Sequence, residues 1–122
     1  FRDALHLDGP GRAASWQANA LAVLFDIAEP EEAAPVMRAM LEGYDRLCRC
    51  SPYFHFYFLP ALRHAGLESD ARDLILREWG PMLDGGATTT WEGFAGDEKD
   101  SLCHPWSTAP LLFTVRKGAR LA

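Results

Sequence analysis

Apolar residues at helical spacing, interrupted by proline and glycine at regular breaks, constrain this chain most. Trp16, Ala20, Val23, Leu24 and Ile27 stand at offsets of 0, 4, 7, 8 and 11, which is one face of a helix. Leu21 and Phe25 add a second apolar face, and a helix apolar on two sides packs on two sides. The spacing predicts a helix over 12–28. Glu29-Pro30-Glu31-Glu32 then reads as a helix start, because proline suits the first turn and acids favour its positive end. The stripe Val36, Met37, Met40, Leu41, Tyr44 and Leu47 follows it. Two helices joined by so short a loop form an antiparallel hairpin.

Ser51-Pro52 is a second start, with serine as cap and proline at the first position. The aromatic run Tyr53 to Leu59 fits a strand or a helix by periodicity alone. Its continuation through Ala61-Leu62-Arg63-His64-Ala65 to a glycine stop at Gly66 selects the helix, with Pro60 as an interior kink. Leu67, Ala71, Leu74, Ile75 and Trp79 form the next stripe, ending at Gly80-Pro81. Residues 51–66 and 68–82 thus predict a second hairpin. From 84 to 100 the pattern fails. Asp84-Gly85-Gly86 reads as a flexible break, Thr88-Thr89-Thr90 is β-branched, and Gly93 and Gly96 follow. Loops of this length inside compact domains are usually functional or disordered, and Trp91 and Phe94 argue for order. A last helix is expected from about 101 to 118, bent at Pro110. The fold class is therefore all-α, built of about five helices in hairpins with no good strand, and no fixed-period repeat of a solenoid is present.

Composition excludes some functions. The net charge is −5 and the basic residues are scattered, so no nucleic-acid partner is expected. No apolar run reaches about 18 residues, so no membrane span is predicted. Cys48, Cys50 and Cys103 are an odd set for a disulfide framework. Cys48-Arg49-Cys50 is too closely spaced for a zinc knuckle, even with His55 nearby. Three reduced cysteines point to a reducing, cytoplasmic setting.

Chemistry-bearing residues gather in the loop and just after it. Trp91-Glu92 is followed by Asp97, Glu98, Asp100, His104 and Trp106. Indole faces stack on the C–H face of a pyranose, and carboxylates accept its hydroxyl hydrogen bonds. Glycoside hydrolysis needs two carboxyl groups flanking the bond, about 6.5–9.5 Å apart in an inverting enzyme. Tyr53, Phe54, His55 and Tyr57 read as core rather than as the wall of a cleft.

Several blocks, in order, resemble the six-hairpin glycosidases. They are Asn19-Ala20-Leu21-Ala22-Val23-Leu24-Phe25, Ser51-Pro52-Tyr53-Phe54, Ala61-Leu62 to Ala65-Gly66, and Trp79-Gly80-Pro81-Met82-Leu83. Gly86-Ala87-Thr88-Thr89-Thr90-Trp91-Glu92 resembles the G-A-T-T-x-W-E block of the bacterial α-L-rhamnosidases, a family 78-like group of glycoside hydrolases. Asp100-Ser101-Leu102-Cys103-His104-Pro105-Trp106-Ser107 and Pro110 resemble the S-x-C-H-x-W-S-x-x-P block that follows it. The chain departs from the pattern at Asp26, where the family often has glycine.

The resemblance implies an (α/α)₆ toroid of helical hairpins. Residues 1–122 would supply roughly its last half, as one partial domain without the N-terminal hairpins. It implies hydrolysis of terminal α-L-rhamnosides with inversion, with Glu92 as the general base. Trp91, His104 and Trp106 would be pocket walls or hydroxyl partners. The general acid would lie upstream of Phe1, so the isolated piece is expected to be inactive. The implied partners are a carbohydrate and the remainder of the parent catalytic domain, and no metal or cofactor is called for. Other toroidal hydrolases, phosphorylases and uronate-processing enzymes share the fold. A uronate would need basic residues to meet its carboxylate, and the loop holds only Lys99, which favours a neutral sugar. A non-catalytic helical binding module is the remaining alternative.

Overall fold

Helix termini set the architecture of this chain. The computed structural model describes residues 1–3, 5–6, 9–10, 13–43, 47 and 49–114. Two-residue strands, β1 (Leu5–His6) and β2 (Gly9–Pro10), pair antiparallel at the N-terminus. Four long helices follow: α1 (Trp16–Leu24), α2 (Pro30–Glu42), α3 (His55–His64) and α4 (Glu68–Asp84). A 3₁₀ turn (Pro105–Ser107) and the short helix α5 (Leu111–Thr114) complete the described chain. The all-helical hairpin architecture is as the apolar spacing predicts, with the small β1–β2 pair added.

Ser15 caps α1 by accepting from the Ala18 N–H at 3.2 Å, and is itself held by Asp3 Oδ1 at 2.9 Å. Pro30 opens α2, where the Glu32 carboxylate accepts the Glu29 N–H at 3.2 Å, a reciprocal N-terminal contact. The regular part of α3 begins later than predicted, at His55. The turn over 52–54 comes first, with Ser51 Oγ accepting the Phe54 N–H at 3.4 Å. Pro60 lies inside α3, and α4 runs through Pro81 to Asp84. The expected helix over 101–118 is not formed as such. His104 donates its backbone N–H to Thr90 O, which takes it out of any helical ladder, and only the 3₁₀ turn and α5 are helical up to residue 114. Tyr44, Cys48 and residues 115–118 lie outside the described residues.

Three helices stop in the same way. After α3, Leu67 N–H donates to Leu62 O at 2.8 Å and Gly66 N–H to Arg63 O at 3.0 Å, with Gly66 at φ +75°. After α4, Ala87 N–H donates to Met82 O and Gly86 N–H to Leu83 O, both at 2.9 Å, with Gly86 at φ +82°. After α1, Ile27 N–H donates to Ala22 O at 2.8 Å and Asp26 N–H to Val23 O at 3.3 Å, with Asp26 at φ +54°. Each is a Schellman stop, which needs one left-handed residue and takes glycine by preference. Asp26 therefore occupies a position whose geometry asks for glycine, and its Oδ1 reaches His64 Nε2 at 2.9 Å. The Asp84-Gly85-Gly86 break is accordingly a structured stop.

The two hairpins meet through their first helices, and α1 packs more extensively against α3 than against α2. Trp16 at the start of α1 meets His55 and Phe58 at the start of α3, while Asp26 beyond the end of α1 meets His64 at the end of α3. The two helices therefore run parallel, with α2 and α4 as antiparallel returns. This is the arrangement of neighbouring hairpins in an (α/α) toroid. Trp16, Met37, Phe58, Leu59, Leu62 and Leu74 are wholly or almost wholly buried between them. α1 ends at Leu24, short of the predicted 28, so Phe25 and Ile27 lie beyond it and are 62% and 67% exposed, while Leu21 is half-buried.

His55 sits in this core. Its Nδ1–H donates to Ser51 O at 2.8 Å, and Nε2 has no hydrogen-bond partner among the described residues. Burial, together with Arg49 and Arg77 nearby, outweighs that hydrogen bond and lowers its pKa to about 4.

Two expectations follow. Asp26→Ala should lower stability by about 1 kcal/mol, because it keeps the left-handed strain and loses the His64 contact. Asp26→Gly should not, and urea midpoints of the two variants distinguish them. Stability should also fall as pH drops from about 6.5, where the unfolded histidine begins to take up a proton, to about 4, where the folded one does. The total for this one group is roughly 3 kcal/mol. His55→Phe should remove that part of the pH dependence, read by denaturant titrations at pH 7 and pH 4.5.

Candidate functional site

The C-terminal end of α4 and the N-terminal ends of α1 and α3 lie at one end of the bundle. The segment 85–108 is laid across it. Thr89 and Thr90, which resist helical packing, begin an irregular stretch that hydrogen-bonds to 101–104. Thr90 O accepts the His104 N–H at 2.7 Å, and Thr90 Oγ1 donates to His104 O at 2.8 Å. Thr89 Oγ1 donates to Leu102 O. Glu92 N–H donates to Ser101 O at 2.9 Å. These bonds make two rungs, one at Thr90–His104 and one at Glu92–Ser101.

Glycine brings the loop onto Trp91. Gly96 lies at φ +63°, and a Cβ there would come within 2.6 Å of the indole. A Cβ on Gly85 would come within 3.4 Å of the same ring. A side chain at Gly93 would collide with the Asp100 carboxylate. Trp91 is half-buried and packs against the core, so its indole supports the loop from below. Phe94 is edge-on to His55 and to Trp79, with ring centroids 5.2 and 5.0 Å apart.

Glu92 is exposed on this platform. Its Oε2 accepts the Ser101 N–H at 3.1 Å, and among the described residues Ser101 is its sole donor. Backbone and side chain are thus held on the same rung, while the carboxylate stays open to solvent. Such a group can accept a proton from water at a set position. His104 is half-buried, and its ring lies 6.2 Å from that of Trp106 at 69°. Trp106 is 68% exposed. It belongs to the 3₁₀ turn, which Trp79 Nε1 anchors by donating to Ser107 O at 2.9 Å.

All four sequence-named residues, Trp91, Glu92, His104 and Trp106, therefore sit on one continuous loop-and-turn unit. Trp91 and His104 are half-buried in it, Trp91 against the core, and Glu92 and Trp106 are exposed.

Other features depart from the sequence reading. Tyr53 was expected in the core, yet it is 41% exposed, with its ring 5.6 Å from Trp106. Tyr53, Phe56, Tyr57, Pro105, Trp106 and Thr108 line a groove of about 360 Å³. Phe56 lies two positions before the buried Phe58, on the other side of α3, while Tyr53 sits in the turn before that helix. Glu78 is also buried, 3.3 Å from Arg77 and 3.8 Å from Arg49, and burial raises its pKa. Its position on α4 gave no pattern that would mark it. Among the described residues no three of His, Cys, Asp and Glu cluster as a metal site. Cys50 Sγ lies 3.6 Å from His55 Nδ1.

The fold and this loop define a segment of a toroidal, helical-hairpin protein with a carboxylate-bearing surface loop. No family model matches the chain, and no curated protein does. Among solved structures it is similar to a rhamnosidase from Klebsiella oxytoca with rhamnose bound. The two are 31% identical with a TM-score of 0.73, over 84% of this chain and 22% of that one. The chain thus spans about a fifth of the length of the rhamnosidase that it resembles.

Gly96→Ala should push the Trp91 indole out of its seat and destabilise the chain by about 2–4 kcal/mol, combining overpacking with left-handed strain. Gly80→Ala is the control. It lies inside α4 with open space around it, and should stabilise by about 0.5–1 kcal/mol. Tryptophan emission and urea midpoints read both.

Proposed function

We propose that this chain is the base-carrying segment of an inverting, family 78-like α-L-rhamnoside hydrolase. The observation that carries the reading is the Glu92 carboxylate, exposed to solvent yet fixed to Ser101 by a two-bond rung. It lies in a chain 31% identical to a rhamnosidase over 84% of its length.

In this reading Glu92 accepts a proton from a water molecule as that water attacks the anomeric carbon. The attack comes from the face opposite the leaving oxygen, so configuration inverts. The Ser101 N–H holds one carboxylate oxygen and leaves the other for the water. His104 and Trp106 border the sugar. Trp91 keeps the base at its height rather than touching the substrate. The leaving oxygen takes its proton from a general acid carried by the remaining hairpins of the parent protein.

The apolar surface supports the need for those hairpins. Leu76 and Leu83 on α4 are each 71% exposed, beside a groove of about 540 Å³ that Leu111 and Pro110 also line. Surface of this kind is what a partner packs against. The chain alone lacks the acid, so it should not hydrolyse an aryl α-L-rhamnoside. Turnover near that of a full-length rhamnosidase would overturn the assignment of this chain as half of a site. In the parent protein, Glu92→Gln should lower kcat by about 10²–10⁴-fold, the usual share of general acid–base catalysis, with KM little changed. An unchanged kcat would remove Glu92 from the mechanism.

A further inference from the structure

The groove beside Trp106 is not accounted for by the reaction at Glu92. Neither Glu92, Trp91 nor His104 lines it. A ring seated there is therefore not the one whose anomeric carbon is attacked. The groove is nevertheless continuous with the site, because its rim residue Trp106 meets His104 on one side and Tyr53 on the other.

Its lining suits a ring with one apolar face and polar edges. Trp106, Phe56 and Tyr53 are 68%, 50% and 41% exposed, so their faces are accessible. Tyr53, Tyr57 and Thr108, each carrying a hydroxyl group, are also among the groove's lining residues. A volume of about 360 Å³ lies at the small end of ligand pockets, about 300–1,000 Å³. That is room for one ring and its substituents. The frame is rigid. Tyr53 lies in the turn that leads into α3, and the turn bearing Trp106 is anchored by Trp79 through Ser107 O.

We infer that Tyr53 and Phe56, with Trp106, form a stacking subsite for the second ring of the glycoside, the one joined to the sugar beside Glu92. This rests on the rhamnoside reading for the identity of the first sugar. The chemistry recognised is a flat apolar ring face, which a pyranose or an aryl group supplies. Stacking of this kind adds roughly ten-fold in affinity.

The test is ligand titration of the 122-residue chain, observed by NMR at the Trp106 indole and the Tyr53 ring. Methyl α-L-rhamnoside has no second ring. Phenyl α-L-rhamnoside and a rhamnosyl-glucose disaccharide carry an aryl and a pyranose second ring. The two-ring ligands should bind about ten-fold tighter and shift both reporters, and the arm with the larger gain identifies the preferred ring. Tyr53→Ala and Phe56→Ala should erase the gain, while Tyr53→Phe should keep it.

Equal affinity for one-ring and two-ring ligands would overturn the subsite, as would a gain that survives both alanine variants. If an alanine variant fails to fold, the wild-type shifts decide: perturbation at Trp106 and Tyr53 supports the subsite, and perturbation confined elsewhere overturns it. Turnover plays no part in this measurement, so its outcome is independent of the Glu92→Gln result.

Discussion

The stack of Trp16 on Phe58 joins the two hairpins. The rings lie 4.2 Å apart and 15° from parallel, and both side chains are fully buried. Removing a buried aromatic of this kind typically costs about 3–5 kcal/mol, a large part of the stability of a small domain. Because this contact joins the starts of α1 and α3, it sets the two helices side by side and parallel. The returning helices α2 and α4 are then placed by short connections. His55 extends the same aromatic group. It is edge-on to Trp16, Trp79 and Phe94, with centroids 5.9, 5.2 and 5.2 Å away. The core thus reaches from the first helix to the loop that bears Glu92.

That loop is held in three ways. Phe94 inserts into the aromatic core, Trp91 lies under Gly96, and the two rungs at Thr90–His104 and Glu92–Ser101 fix the backbone. Trp79 belongs to both systems, since it touches His55 and also anchors Ser107. The carboxylate and the exposed indole of Trp106 are therefore positioned by the same buried contacts that hold the hairpins together. Such contacts fix the backbone on both sides of the carboxylate, which is the positioning that the proposed role of general base needs.

Much of the fold was legible from residue spacing. The four helical stripes fall on the four long helices, although Ile27 lies beyond the end of α1 and Leu47 beyond the end of α2, and Gly66 ends α3 as a left-handed stop. Asp26 is more instructive. The sequence marks it as a departure from the glycine common in the glycosidases it resembles, and the backbone shows why glycine would suit, because α1 ends in the same stop as α3 and α4. The C-terminal stretch departs from the helical expectation for a physical reason. Residues 101–104 have helical neighbours in sequence, but their backbone groups bond to 89–92. A partner a dozen positions away leaves no trace in local periodicity.

Local sequence suffices for the helices, their hairpin order and the concentration of Trp91, Glu92, His104 and Trp106 within one short stretch. Spacing, caps and glycine positions act within a few residues, so a linear reading captures them. Tertiary packing alone leaves Trp91 half-buried against the core, pins Glu92 to Ser101, and turns Tyr53 and Phe56 outward beside Trp106. Those outcomes depend on which surfaces meet after the helices form. The deciding contacts, Trp79 with Ser107 and Tyr53 with Trp106, join residues far apart in the chain.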